Sequence, residues 1–306
     1  MKKILSSYFI NFILVIIIIY IFVYSNGINE SISFVINSWQ NNLVPSIFPF
    51  LLFSNLLIEY GFVSLISLIF GNIFSLVFKL PKAGSFAFLG SIFTGFPTGA
   101  KYVVDLLNAK CISLDDANRL LMFTSYSNPI FVISVVGETL LKSKSIGILI
   151  FVTHLITGIF IGVILSIGKK RNNSISNSFK TSSYSFSENL IKSINNSFTI
   201  LLNMLGIIIF FSIIANVIDS LLPYNIVSYI IKGILEVTSS IVAVSKSNFN
   251  FRLKYSLIGS FLSFNGLSVH FQIKSIINGT KIEYNRFLYA RILHALLCFV
   301  FLYFIF

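Results

Sequence analysis

Four stretches of this chain carry residues able to do chemistry in surroundings that otherwise offer none. Gly90 to Lys101 reads GSIFTGFPTGAK, with three glycines, a proline, two threonines and a lysine set into apolar sequence. In a bilayer core each freed backbone N–H or C=O costs several kcal/mol, so such a break persists only where protein or a water-filled cavity covers it. The candidate residues are Gly95, Pro97, Thr98 and Gly99, an unwound turn whose N–H groups and positive helix end would face an anionic or polar ligand. Lys101 lies about one turn further on and would add a full positive charge. The architectural alternative is a tight contact between helices that needs small residues, with Lys101 snorkelling to the interface. The segment is no P-loop, because the GxxxxGK[ST] spacing and a preceding strand are both missing.

The other three stretches follow the same logic. Glu236, followed by Val237 and Thr238, interrupts an apolar run, and a carboxylate within the bilayer must be paired, protonated or in a wet cavity. Phe264 to Gln272 reads FNGLSVHFQ, in which Asn265, Ser268, His270 and Gln272 offer polar contacts. His270 could relay a proton or simply be a satisfied buried imidazole. Ser127 and Asn128 precede Pro129, whose missing N–H frees a carbonyl, so a ligand contact and a plain kink compete there. His154 and His294 stand singly among apolar residues and read as helix-to-helix hydrogen bonds. Lys101 has two candidate partners, Asp105 at i+4 and Glu236 across a cavity. The first would make the break architecture and the second would make it a site.

The elements that must position these residues are membrane spans. The chain has 306 residues, of which 56% are hydrophobic and 10% charged. A soluble domain needs about a quarter of its residues charged. The net charge of +12 lies between apolar runs and not on one basic face, so it reads as topology signal and headgroup contact, not as a nucleic-acid surface. Cys111 and Cys298 lack metal or disulfide spacing. There is no nucleophile elbow and no paired-acid motif, so no enzyme, metal or cofactor is expected.

Residues 8–24 read as an uncleaved first helix entering from the cytoplasm. Apolar runs follow at 43–60, where Pro45 and Pro49 predict a bent start, at 62–78, and at 146–168, which ends on Lys169-Lys170-Arg171. Residues 112–123 read as an amphipathic helix at the membrane surface, opened by a Ser113–Asp116 capping box. The Ser- and Asn-rich residues 172–196 read as a flexible cytoplasmic linker. The organisation expected is therefore a first helix over 1–27, a first membrane half over 28–171, the linker, and a second half over 197–306. Gly90-Ser91 and Gly259-Ser260 each precede a break by five residues, which sets 95–97 against 264–266 in a possible repeat of inverted orientation.

Four ordered segments resemble one family. GFPTGAKYVVDLL, ISLDDANRLLMFTSYSNPIFVISVVG, EVTSS and FNGLSVHFQ look like signature segments of the YlbJ family of sporulation integral membrane proteins, which sits with proteins carrying a nucleoside-recognition, or Gate, domain. The chain departs from the family pattern at Phe96, Asn128, Ser240 and Asn265. The resemblance implies a part in endospore formation and cortex building, in the mother-cell or outer forespore membrane. It names no substrate.

Together these readings predict an all-α polytopic membrane protein of about eight spans, with broken or re-entrant helices around a central polar site. The partners expected are the lipid bilayer and a small polar or anionic solute, with a homo-oligomer left open and nucleic acid excluded. A carrier or channel is the leading functional class, and a non-transporting scaffold for cortex assembly the alternative.

Overall fold

The computed structural model describes residues 2–170, 184–222 and 225–306, and every regular element among them is helical. Helix α1 (Lys2–Val23) bends by 98° into α2 (Ser25–Ser38), and a π-helical turn, Trp39–Leu43, carries α2 into α3 (Val44–Glu59) without a gap. Pro45 lies in the first turn of α3, where no intrahelical N–H bond is lost, and Pro49 lies inside it. Gly61, at φ +78°, turns the chain by 93° into α4 (Phe62–Phe78). Then come α5 (Gly84–Thr94), α6 (Thr98–Asn108), α7 (Leu114–Leu121), a π-helical stretch Phe131–Leu140, and α8 (Lys144–Ile164). The remainder is α9 (Phe186–Leu221), α10 (Ile226–Leu235), α11 (Val237–Ser245), α12 (Phe251–Phe264), α13 (Gly266–Ile276) and α14 (Tyr284–Ile305). Among the described residues three helices, α8, α9 and α14, are long and apolar enough to cross a membrane, or up to five if each bent pair counts as one span. A count of about eight would need the shorter apolar pieces α5, α10 and 131–140 to complete further crossings.

Two expectations change. The linker read over 172–196 lies outside the described residues as far as 183, but from Phe186 onward the chain is helix. Ser185 and Glu188 form a capping box, with Glu188 accepting from the Ser185 N–H at 2.8 Å. Two of the polar residues that suggested exposure instead tie α9 to the end of α3, Lys192 to Glu59 at 2.7 Å and Asn189 to the Tyr60 hydroxyl at 3.4 Å, and just beyond them Asn55 bonds Ser197 at 3.1 Å. The second change concerns α7, which has the expected capping box but does not lie at a surface with its polar side exposed. Asp116, Asn118 and Arg119 are buried. Arg119 donates to the carbonyls of Phe78 at 2.9 Å and of Lys79 and Leu165 at 3.3 Å, closing the C-terminal ends of α4 and α8.

Helices α5 and α6 fold back against one another, with their tip at Gly95–Pro97, and α10 and α11 do the same around Glu236. By contrast, α12 runs on into α13 through Asn265 and Gly266, both at positive φ, without such side-by-side packing. The stretch from Met122 to Ile130 likewise separates α7 from the π-helical segment. Each half of the chain therefore holds one hairpin tip and one interrupted helix, and each tip packs on the interruption of its own half. A Cβ on Gly95 would lie 2.7 Å from the Asn128 nitrogen, and one on Gly266 would lie 3.2 Å from the Val237 nitrogen. The pairing expected from sequence, 95–97 with 264–266, is thus replaced by tip with tip and interruption with interruption. Local Gly/Asn chemistry is the same in both kinds of break, and only packing separates them.

A buried polar core holds the interruption at 122–128. Arg291 on α14, wholly buried, donates to the carbonyl of Ser125 at 2.9 Å, to that of Met122, and to His294 Nδ1 at 3.0 Å. The His294 acceptor on that side leaves Nε2–H to donate to the His154 carbonyl at 2.9 Å. His154 Nε2 accepts from the Ser127 N–H at 3.1 Å, so its Nδ1–H faces Ser263 Oγ at 2.8 Å. Asn265 donates to Ser125 Oγ at 2.7 Å and links the second interrupted helix to the first.

Two outcomes test this frame. A Cβ on Gly99 would lie 1.9 Å from the Thr124 carbonyl oxygen, whereas Gly206 has nothing within 4 Å. Gly99→Ala should therefore cost at least about 1–3 kcal/mol of stability, while Gly206→Ala should gain up to about 1 kcal/mol, read as melting temperature of the purified protein. Arg291→Leu leaves three buried acceptors without a donor, at about 1–3 kcal/mol each. It should deplete folded protein from the membrane, with Arg291→Lys in between.

Candidate functional site

Where the two hairpin tips and the two interruptions meet, they enclose a small cavity. Its polar wall is made by Asn128, Glu236, Thr238, Ser268 and Gln272, and its apolar wall by Phe96, Phe131, Met204, Ile208 and neighbours. The room inside is about 30 Å³, enough for one or two water molecules and no larger solute in this conformation.

Each polar residue arrives there for a local reason. Glu236 has extended backbone, φ −145°, and is the N-cap of α11. One carboxylate oxygen accepts the Thr238 N–H at 2.9 Å and the other the Ser239 N–H at 2.6 Å, and the residue is 1% exposed. A carboxylate has about four acceptor positions, so roughly half of its capacity remains for a solute. Asn128 caps the π-helical stretch, accepting from the Ile130 and Phe131 N–H groups at 2.8 and 3.3 Å, and its amide donates to the Phe93 carbonyl at 3.1 Å. Ser268 and Gln272 stand one turn apart on α13 and share a face. The Ser268 hydroxyl and the Gln272 carbonyl oxygen are buried without a protein partner.

The remaining predicted residues lie elsewhere. Lys101 pairs with Asp105 at 2.6 Å and lines a different cavity, with Glu59 and Lys192. It does not face Glu236, so the positive anchor expected in the central site is absent from it: the i+4 carboxylate on its own helix lies within direct reach. Pro97 lines a neighbouring cavity of about 340 Å³. Thr98 turns inward, its hydroxyl donating to the Gly95 carbonyl at 2.5 Å and bonding Thr94, while Gly95 and Gly99 serve close packing. Ser127 and Asn265 belong to the polar core described above. His270 does not line the cavity. Its Nε2 donates to the Phe264 carbonyl at 2.9 Å and its Nδ1 accepts from the Tyr284 hydroxyl at 2.9 Å, so both nitrogens are satisfied within the protein.

Arg291 escaped the sequence reading. It sits inside the last apolar run, and the rule that singled out Glu236, that an ionisable residue within a span is functional until shown otherwise, applies to it equally. The apolar wall residues, Met204 and Ile208 on α9 among them, carry no such signal. No group of three or more His, Cys, Asp or Glu side chains able to hold a metal ion occurs among the described residues.

No protein-family profile matches the chain, and no solved structure does. The chain is similar to the sporulation integral membrane protein YlbJ of Bacillus subtilis (strain 168), with 25% identity over 303 residues that cover 87% of this chain and 74% of the relative. Extending over most of an all-helical, apolar chain, that similarity supports its assignment to the YlbJ family of sporulation integral membrane proteins.

Proposed function

We propose that this integral membrane protein is a carrier or channel for a small polar solute, acting in endospore formation at the stage of cortex building, in the mother-cell or outer forespore membrane. One observation carries the reading. Breaks from both halves of the chain place Asn128, Glu236, Thr238, Ser268 and Gln272 around one small cavity, with two buried oxygens that have no protein partner. Sites where broken helices meet are the usual plan of secondary transporters.

The lining also narrows the solute. Glu236 is the one ionisable side chain in the cavity wall, and its neighbours there are a hydroxyl and an amide oxygen with acceptor capacity to spare. Such a wall favours a neutral or cationic molecule rich in N–H and O–H donors over the anion that Lys101 first suggested.

In sporulating cells that depend on this protein, Gln272→Leu and Glu236→Gln should abolish cortex formation while protein level and localisation stay unchanged. Loss of one capping acceptor in Glu236→Gln costs about 1 kcal/mol, too little to unfold the chain. Normal cortex in both variants would exclude the cavity as the functional site and favour the scaffold.

A further inference from the structure

Three cavities lie in sequence along α9, the inner two beside the tip at Phe96 and Pro97 and the outermost beside α6. Beyond the central cavity is the one of about 340 Å³, bounded by Pro97, Ile200, Asn203 and Ile207. Met204 and Gln272 belong to the walls of both, so these two side chains form the partition between them. One turn further along both helices, past Pro97 and Ile200, is a polar recess of about 260 Å³ bounded by Lys101, Asp105, Asn108, Ser193 and Asn196. On α9, residues 193, 196, 200, 203 and 207 among those lining these spaces recur at intervals of three and four and make a stripe, with Lys192, Leu202, Met204 and Gly206 beside it. On α6, residues 101, 105 and 108 keep the same spacing from Pro97 at its N-cap. Helix α13 packs against both and forms the floor.

The stripe on α9 has an unusual composition for a span. Asn196 and Asn203 are exposed polar residues on a helix whose mean hydropathy is high enough to cross a bilayer. Facing lipid they would be costly, and facing a wet channel they are not. The partition suits a movable barrier. Met204 is unbranched and easily changes shape, and the carbonyl oxygen of Gln272 is buried and unpaired beside it. At the outer end two ion pairs frame the recess, Lys101–Asp105 at 2.6 Å and Lys192–Glu59 at 2.7 Å. Balanced charge of this kind admits polar molecules of either sign without trapping them.

The geometry points to the face of α9 that runs from the α6 recess past Pro97 as the route by which a polar solute reaches the central cavity, with Met204 and Gln272 as its constriction and the two ion pairs as its mouth. The inference rests on the carrier reading above and adds the path. It returns Lys101 to function in a different place, at the mouth and not in the binding site.

Cysteine accessibility in membrane vesicles, opened to reagent on both sides, tests it with a small positively charged methanethiosulfonate as probe. The native Cys111 and Cys298 are buried and serve as the unreactive background. Asn196→Cys, Asn203→Cys and Ser268→Cys should react, while Phe198→Cys and Phe210→Cys, exposed and apolar on other faces of α9, should not. Met204→Trp should slow modification of Ser268→Cys by about tenfold or more, equivalent to about 1.4 kcal/mol of barrier, and leave Asn196→Cys unchanged. Reaction at Ser268→Cys without reaction at Asn203→Cys, or without slowing by Met204→Trp, overturns the route and leaves the cavity as a site reached from elsewhere. No reaction at Ser268→Cys overturns the carrier reading itself. Should a cysteine at 203 impair folding, Ile207→Cys probes the same cavity.

Discussion

The whole arrangement depends on one constraint: a backbone interrupted inside an apolar chain must have its freed N–H and C=O groups answered by protein. The stretch from Met122 to Asn128 shows how completely this is met. The Phe96 N–H donates to the Tyr126 carbonyl at 2.7 Å, Arg291 reaches the Met122 and Ser125 carbonyls, and His154 accepts the Ser127 N–H. Asn128 answers the first N–H groups of the segment that follows. Helices α8 and α14, and the tip between α5 and α6, each bring one of these partners to a single stretch of irregular backbone.

The buried charges obey the same rule. Arg119 and Arg291 are held by carbonyls, and Glu236 by the amides at the start of α11. The large desolvation cost of a buried ion pair is thereby avoided, since each charge completes the end of a helix or an unwound turn that would otherwise be unsatisfied. The ion pairs of Lys101, Lys192 and Arg286 are all partly exposed. Charge in this molecule is divided into two classes, one that organises backbone in the interior and one that decorates openings and ends.

Glu236 bridges these roles with function. The carboxylate that caps α11 also forms part of the cavity wall, so the group that fixes the hairpin tip is the one a solute would meet. A solute that drew on its remaining acceptor positions would act directly on the tip, which couples binding to the position of α10 and α11 without any further device.

Much of this was legible in the residues themselves. Apolar length and scarce charge define a membrane protein; Gly95, Pro97, Glu236, Asn265 and Gly266 mark the breaks; Ser113 with Asp116 marks a helix start. These are local properties, set by backbone freedom, missing donors and side-chain reach within one turn. What faces what was left to tertiary packing. The choice of Asp105 over Glu236 for Lys101, the satisfaction of His270 by Tyr284, the packing of α9 on α3 within what read as linker, and the seating of each hairpin tip on the interruption of its own half are decided by packing. Arg291 shows the boundary most clearly. Its charge within an apolar span was visible, but its purpose exists only because the fold brings the carbonyls of Met122 and Ser125 to it, 166 residues and more away along the chain.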